Sequence, residues 1–214
     1  MSPAAARRKR PQEYDASGRH QRAREHHATT LARAQGLFLE HGYSTTTVAA
    51  IAQAAGVSAA TVYKTYGGKA GLVRELCTRA LAGAGPVPAE ERSDALRANA
   101  DPRIVIAGWC VLVAEVSPRI SPLLLLLRAA AEADPEAAAL YDELDRARLA
   151  RMTDNARYLA DGGHLRDGIT LADARDVLWF CSSPELYELL VVSRGWPPAR
   201  LGTFAAQTMV ATLL

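Results

Sequence analysis

Residues 46–69, TTVAAIAQAAGVSAATVYKTYGGK, decide the fold. They predict two short helices set at an angle around a tight turn. Gly56 marks the turn, because a left-handed backbone costs glycine no steric penalty. Ala52, four residues earlier, is small where the two helices must approach. Ile51, Val57 and Val62 supply the apolar wedge between them. Ser58 is placed to cap the second helix by accepting from a backbone N–H near Thr61. The pattern is that of a helix-turn-helix, whose second helix enters a DNA major groove. The alternative is an αα-hairpin that binds nothing. Aromatic and basic neighbours at Tyr63, Lys64, Tyr66 and Lys69 favour DNA.

Outward from this stretch the chain reads as all-α. A first helix over 19–41 keeps Leu31, Ala34 and Phe38 on one face, and Gly42 ends it. Thr46 is expected to cap a second helix to about Ala54, Ser58 opens a third to about Lys64, and Lys69 opens a fourth to about Leu81. GAGPVP at 83–88 is the clearest break in composition. Beyond it the spacing predicts helices over 102–116, 122–133, 136–160, 171–192 and from Pro197 or Pro198 to about Thr212. Ser117–Pro118 is read as a stop, and Pro184 as a kink. The organisation expected is a disordered basic tail at 1–18, a DNA-binding domain at 19–82 and a helical regulatory and dimerisation domain at 83–214. Arg7–Arg10 in the tail would lie along phosphates or remain a solvated arm.

Charge supports the division. The chain carries a net +2 overall, but residues 1–80 hold +7 and residues 81–214 hold −5. A basic end joined to an acidic body suits a molecule that offers one end to a polyanion. The cysteines, Cys77, Cys110 and Cys181, form no C-x-x-C pair, so neither a zinc site nor a disulfide framework is supported and buried free thiols are expected. No cofactor or metal is expected. The Leu123–Leu127 run is far shorter than the roughly 20 residues of a membrane span. A soluble cytoplasmic protein with no membrane partner is therefore expected.

T-T-V-x-x-I-A-x-x-A-G-V-S-x-x-T-V-Y-x-x-Y-x-x-K resembles the DNA-binding domain of the tetracycline-repressor (TetR) family, densely from Leu31 to Leu76. From Gly83 to Leu214 the likeness is confined to helix order. The resemblance implies an all-α homodimer, with a helix-turn-helix near the N-terminus and a variable C-terminal domain for ligand and dimer contacts. The family's usual capping residue before the lysine is Ser, Asn or Asp; here it is Gly68.

A DNA-reading surface follows from these residues. Thr46 and Thr47 would donate to a phosphate. Ser58, Ala59, Ala60 and Thr61 would face the groove, where Ala and Thr methyls pack on thymine. Tyr63 is expected to give its hydroxyl to a phosphate, while Tyr66 is half core and half backbone contact. Lys64 and Lys69 would add charge, with a phosphate held between Lys69 and the N-terminus of its helix. Two alanines in the groove leave part of the discrimination to DNA shape or water. One reading helix is too little, so a homodimer on a near-palindromic double-stranded operator is expected. The interface would use Leu186, Leu189, Leu190, Met209 and Val210. A small hydrophobic or amphipathic effector would bind among Trp109, Val113, Tyr141, Leu144, Tyr158 and Trp179, with Arg128 or Arg148 as polar anchor.

The expected function is a sequence-specific transcriptional repressor released by such an effector. An enzyme is disfavoured: no nucleophile–base pattern, paired carboxylates, phosphate loop or metal spacing occurs. His26–His27 are adjacent and diverge by ~100° on a helix, so they do not form a joint metal site. A helical protein-interaction module, or a regulator without a small-molecule ligand, is the alternative.

Overall fold

The computed structural model describes residues 16–214, and side chains from Gln21 onward except those of residues 22 and 23. The expected arm at Arg7–Arg10 lies outside the described residues. The helices are α1 (Ala16–His41), α2 (Val48–Ala55), α3 (Ala59–Tyr66), α4 (Lys69–Ala82), α5 (Ala89–Leu96), α6 (Pro102–Ala130), α7 (Pro135–Asp161), α8 (Leu171–Cys181), α9 (Pro184–Tyr187) and α10 (Pro198–Leu213). A π-helical turn, Glu188–Ser193, continues α9. There is no strand among the described residues, so the fold is all-α.

Several boundaries differ from expectation. Residues 16–18, assigned to the tail, belong to α1. Thr47, not Thr46, caps α2, its side chain accepting from the Ala50 N–H at 3.1 Å. Thr46 is buried instead, and its hydroxyl donates to the Gly42 carbonyl at 2.7 Å. The connector is followed by a short helix, α5, that the spacing did not suggest.

The largest departure is α6. Ser117–Pro118 was expected to stop one helix before a second began, yet α6 runs unbroken through Pro118 and Pro122. An interior proline costs ~3 kcal/mol through a lost hydrogen bond and a ring clash. Against this, Ile120, Leu123, Leu124 and Leu127 are all buried in one cluster. Each contributes roughly 1.5–3 kcal/mol by leaving water, so packing outweighs the prolines. The helix is also long and apolar enough, by length and composition, to cross a membrane, which the five-leucine run alone did not suggest. Its surroundings supply another reason for that composition: α1, α4, α5, α7, α9 and α10 all pack against it.

Two main cores result. The first joins Leu31, Phe38, Ile51, Val62, Leu72 and Val73 of the head to Leu123, Leu127 and Leu140 of α6 and α7. Apolar packing is thus continuous across the connector. The second joins Val105, Ile106 and Trp109 to Leu159, Leu178, Met209 and Leu213. At Gly202 the α10 backbone passes so near α6 that a Cβ would lie 2.7 Å from the Cys110 carbonyl.

An ion pair secures the connector. Glu115 on α6 receives both terminal nitrogens of Arg92, at 2.9 and 2.7 Å, and the Ala84 N–H at 2.7 Å. These bonds, the Arg92 guanidinium first, hold the Glu115 carboxyl down at about 2. A carboxyl whose pKa is depressed by folding stabilises the fold above its ordinary range, ~4.3, and loses that contribution as pH falls through the folded value. The melting-temperature gap between wild type and Glu115→Gln should therefore be widest above pH ~5 and close toward pH ~2. A gap constant across that range would show that the bond carries no proton linkage.

Candidate nucleic-acid interface

The reading head is built by local capping. Gly56 ends α2 in the left-handed region, φ 67°, and the Val57 N–H returns to the Ala52 carbonyl at 3.0 Å. Ser58 caps α3: its Oγ accepts the Thr61 N–H at 3.0 Å and lies 2.8 Å from the Thr61 hydroxyl. Ile51, Ala52 and Val62 are buried between the helices, as the spacing requires. A short, capped helix is thereby fixed at its N-terminal end, the end that meets a groove in this motif.

The ten residues expected to touch DNA divide into two groups. Thr47, Ser58, Ala60, Thr61, Tyr63 and Lys64 are exposed, Tyr63 at 57 %. Thr46, Ala59, Tyr66 and Lys69 are turned partly or wholly inward. Ala59 packs against the first core. The Tyr66 hydroxyl is 2.7 Å from Nδ1 of His27, and the two rings are stacked. Burial raises the Tyr66 phenol above its ordinary range. Lys69 donates to the Tyr43 carbonyl at 3.0 Å, lies over the Tyr43 ring and sits 4.0 Å from the Asp134 carboxylate. At Lys69 the ammonium is thus already engaged by the chain itself, and α4 starts at Gly68 (φ 135°) without a side-chain cap. The acidic corner that binds it comes from the start of α7, too distant in sequence to be anticipated.

The polar side of α1 supplies the partner wall of this surface. Arg24 and His26 on α1 face Ser58, Thr61 and Thr65 on α3 across a cavity of about 690 Å³. Among the described residues no group of three metal-ligating side chains comes together.

The expected ligand pocket separates into two places. The Trp109 indole donates to the Ser93 carbonyl at 3.1 Å and meets Tyr158 edge-on, while the Tyr158 hydroxyl donates to the Asn99 carbonyl. Val113, four residues after Trp109, lies on the same stretch of α6. On another side, Arg128 pairs with Glu185, and Tyr141 and Leu144 pack on the first core. There Arg148 stacks on Trp179 and donates to its carbonyl at 2.7 Å. Arg148 Nε and Trp179 Nε1 are buried N–H groups without an acceptor. None of the expected pocket residues lines the α1–α3 cavity or a second cavity of about 240 Å³ between α4 and α7.

The interface expectation also changes. Leu186 and Met209 are buried within their own chain, Met209 against Cys110 of α6 and Leu186 beside Tyr187 and Leu201. The long α6 supplies cover that the sequence reading did not foresee. Leu190 and Val210 are half-buried and Leu189 is exposed. Phe180 on α8 and Val192 beyond α9 add exposed apolar surface, while Thr203, Gln207 and Ala211 form the outward face of α10.

Residues 31–76 match the family model described as bacterial regulatory proteins, tetR family. No curated protein matches the chain. Among solved structures, the chain is similar to NalD, described as the secondary repressor of the MexAB-OprM multidrug efflux pump in Pseudomonas aeruginosa. That likeness has a TM-score of 0.72 at 22 % identity, covering 90 % of this chain and 98 % of that one. It is similar to SmeT in a complex with triclosan, with a TM-score of 0.68 at 18 % identity over 89 % and 92 % of the two chains. It is also similar to the fatty acid degradation regulator FadR from Bacillus halodurans, with a TM-score of 0.62 at 17 % identity over 86 % and 94 %. At these identities the likeness establishes the fold.

Proposed function

Through residues 31–76 the chain belongs to the tetR family of bacterial regulatory proteins, and from that premise we propose that it is a repressor binding a near-palindromic operator as a homodimer. The observation that carries this reading is the exposed set Ser58, Ala60, Thr61, Tyr63 and Lys64 on a capped helix of the basic end. Hydroxyls and an ammonium suit phosphate oxygens, and small methyl groups suit thymine. The acidic body turns away from the polyanion and pairs two copies.

The pairing surface is the outward side of α8 and α10 together with the turn after α9. Phe180 and Leu189, each more than half exposed, supply apolar anchors, and Thr203, Gln207 and Ala211 allow close approach of α10. A small hydrophobic or amphipathic effector releases the operator by binding the two conformations of the dimer unequally. The unpartnered Arg148 and Trp179 N–H groups support an effector that also carries an oxygen acceptor. SmeT, a protein of the same fold, is solved with triclosan, which makes such a ligand reasonable here.

Selection of binding sites from random duplex tests the reading directly. It should recover two half-sites in inverted repeat, about one helical turn or slightly more apart. Recovery of no motif would overturn it. Phe180→Glu should convert a dimeric mass in light scattering to a monomeric one and lower operator affinity at least about tenfold, because burying an unpaired charge opposes association. Unchanged mass in that variant would remove α8 from the interface.

A further inference from the structure

Arg24 and His26 form one wall of the α1–α3 cavity, and Ser58, Thr61 and Thr65 form the other. Beside Val57 and Val62, which make much of the lining apolar, these walls present a guanidinium, an imidazole and three hydroxyls at the rim. Arg24 makes no ion pair among the described residues. A cleft with this lining suits an acceptor-only group such as a phosphodiester. It lies beside the N-terminal end of the reading helix, so a DNA strand following the groove edge would meet it.

Where α3 ends, Tyr66 reaches back to α1. Its Oη is 2.7 Å from His27 Nδ1, and the rings stack with centroids 5.3 Å apart. The other ring nitrogen, Nε2, is 3.4 Å from Glu75 Oε1, an oxygen that also receives Arg79 Nε at 3.1 Å. Among the described residues, the charged or titratable groups facing His27 are therefore Tyr66 from α3 and Glu75 and Arg79 from α4, with Arg24 and His26 beside it on α1. A phenol has one hydrogen to donate. With a neutral imidazole whose hydrogen is on Nε2, Nδ1 accepts that hydrogen and Nε2–H points at Glu75. A doubly protonated imidazole has no lone pair on Nδ1. It donates to the Tyr66 oxygen, and the phenol hydrogen is released, with only the His27 carbonyl at a long 3.5 Å to compete with an acceptor in the cleft.

Resting on the DNA-binding reading above, we propose that the α1–α3 cleft seats a backbone phosphate of the operator and that His27 is the positioning residue directing the Tyr66 hydroxyl hydrogen either inward or to that phosphate. Operator affinity is then linked to proton uptake at His27.

Fluorescence anisotropy with an operator duplex and a random duplex, from about pH 8 to about pH 6 at fixed ionic strength, tests this for wild type, His27→Asn, Tyr66→Phe and Arg24→Ala. Wild type should tighten on the operator by about tenfold more than either His27→Asn or Tyr66→Phe, each of two half-sites contributing about threefold. Tyr66→Phe keeps the stacked ring and the imidazole charge, so a wild-type pH profile in that variant would overturn the proposal. Parallel profiles in wild type and His27→Asn would overturn it as well. Arg24→Ala should weaken operator and random duplex alike and reduce the salt slope by about one per half-site; an unchanged slope would refute the phosphate seat. Binding with one profile in every variant defeats this proposal alone. No duplex binding by wild type at any pH defeats the parent reading too.

Discussion

Tyr63→Phe should bind the operator about 100-fold more weakly than wild type while melting at nearly the same temperature. The ring is 57 % exposed at the middle of α3, and its hydroxyl makes no bond within the described chain. A hydrogen bond to a charged group contributes about 1.5–3 kcal/mol. At two half-sites the lower figure gives ~3 kcal/mol, a factor of about 100. Because the oxygen has no partner inside the protein, removing it leaves nothing unsatisfied and stability should move by less than ~0.5 kcal/mol. The separation of the two effects is what identifies a contact residue. Anisotropy titration and a thermal melt of the same preparation measure both, and wild-type affinity would exclude Tyr63 from the interface.

Gly71→Ala should do the opposite kind of damage. A Cβ at Gly71, in the first turn of α4, would lie 1.6 Å from the carbonyl oxygen of Tyr66 at the end of α3. The obstacle is backbone and has no rotamer by which to yield. Overpacking costs about 1–3 kcal/mol where side chains can shift, so ~3 kcal/mol or more is expected here. For a chain of this length that lowers the melting temperature by roughly 6–12 °C. Operator binding should fall with it, since relief of the clash requires α3 to move. Gly36→Ala on α1 is the control. Its Cβ meets nothing within 4 Å, and the substitution should leave stability unchanged or raise it by up to ~1 kcal/mol. A Gly71→Ala protein as stable as wild type would mean that α3 and α4 are not in this contact.

The contrast between these substitutions reflects what could be read along the chain. The α2–α3 turn was legible because its determinants are neighbours in sequence: Ser58 caps three residues ahead, and Gly56 stands where the backbone turns left-handed. The neighbouring caps were harder. Thr46 and Thr47 have the same side chain, and only the folded chain distinguishes the buried hydroxyl from the one that caps. Proline at 118 was a sound local signal that long-range packing overrode. Ala89–Leu96 was missed because only Ala89 and Ser93 of its eight residues are buried, which leaves almost no periodicity to detect. Leu186 and Met209 showed helical spacing, but spacing does not say whether a covering element comes from the same chain or another. The His27–Tyr66 bond joins residues 39 apart and left no trace in either local pattern.

Cys77 lies in the first core, which joins the head to α6 and α7, and Cys110 and Cys181 lie in the second. Burial pushes the first two thiols up to about 12 and the third to about 11. The thiolate is the reactive form, so these three thiols react slowly in the native fold. Each sulfur becomes reactive only when its own core opens, and the two cores carry separate reporters. The chain thus holds, without any introduced label, a means of timing the opening of the core that anchors its reading head against that of the core farther along the body.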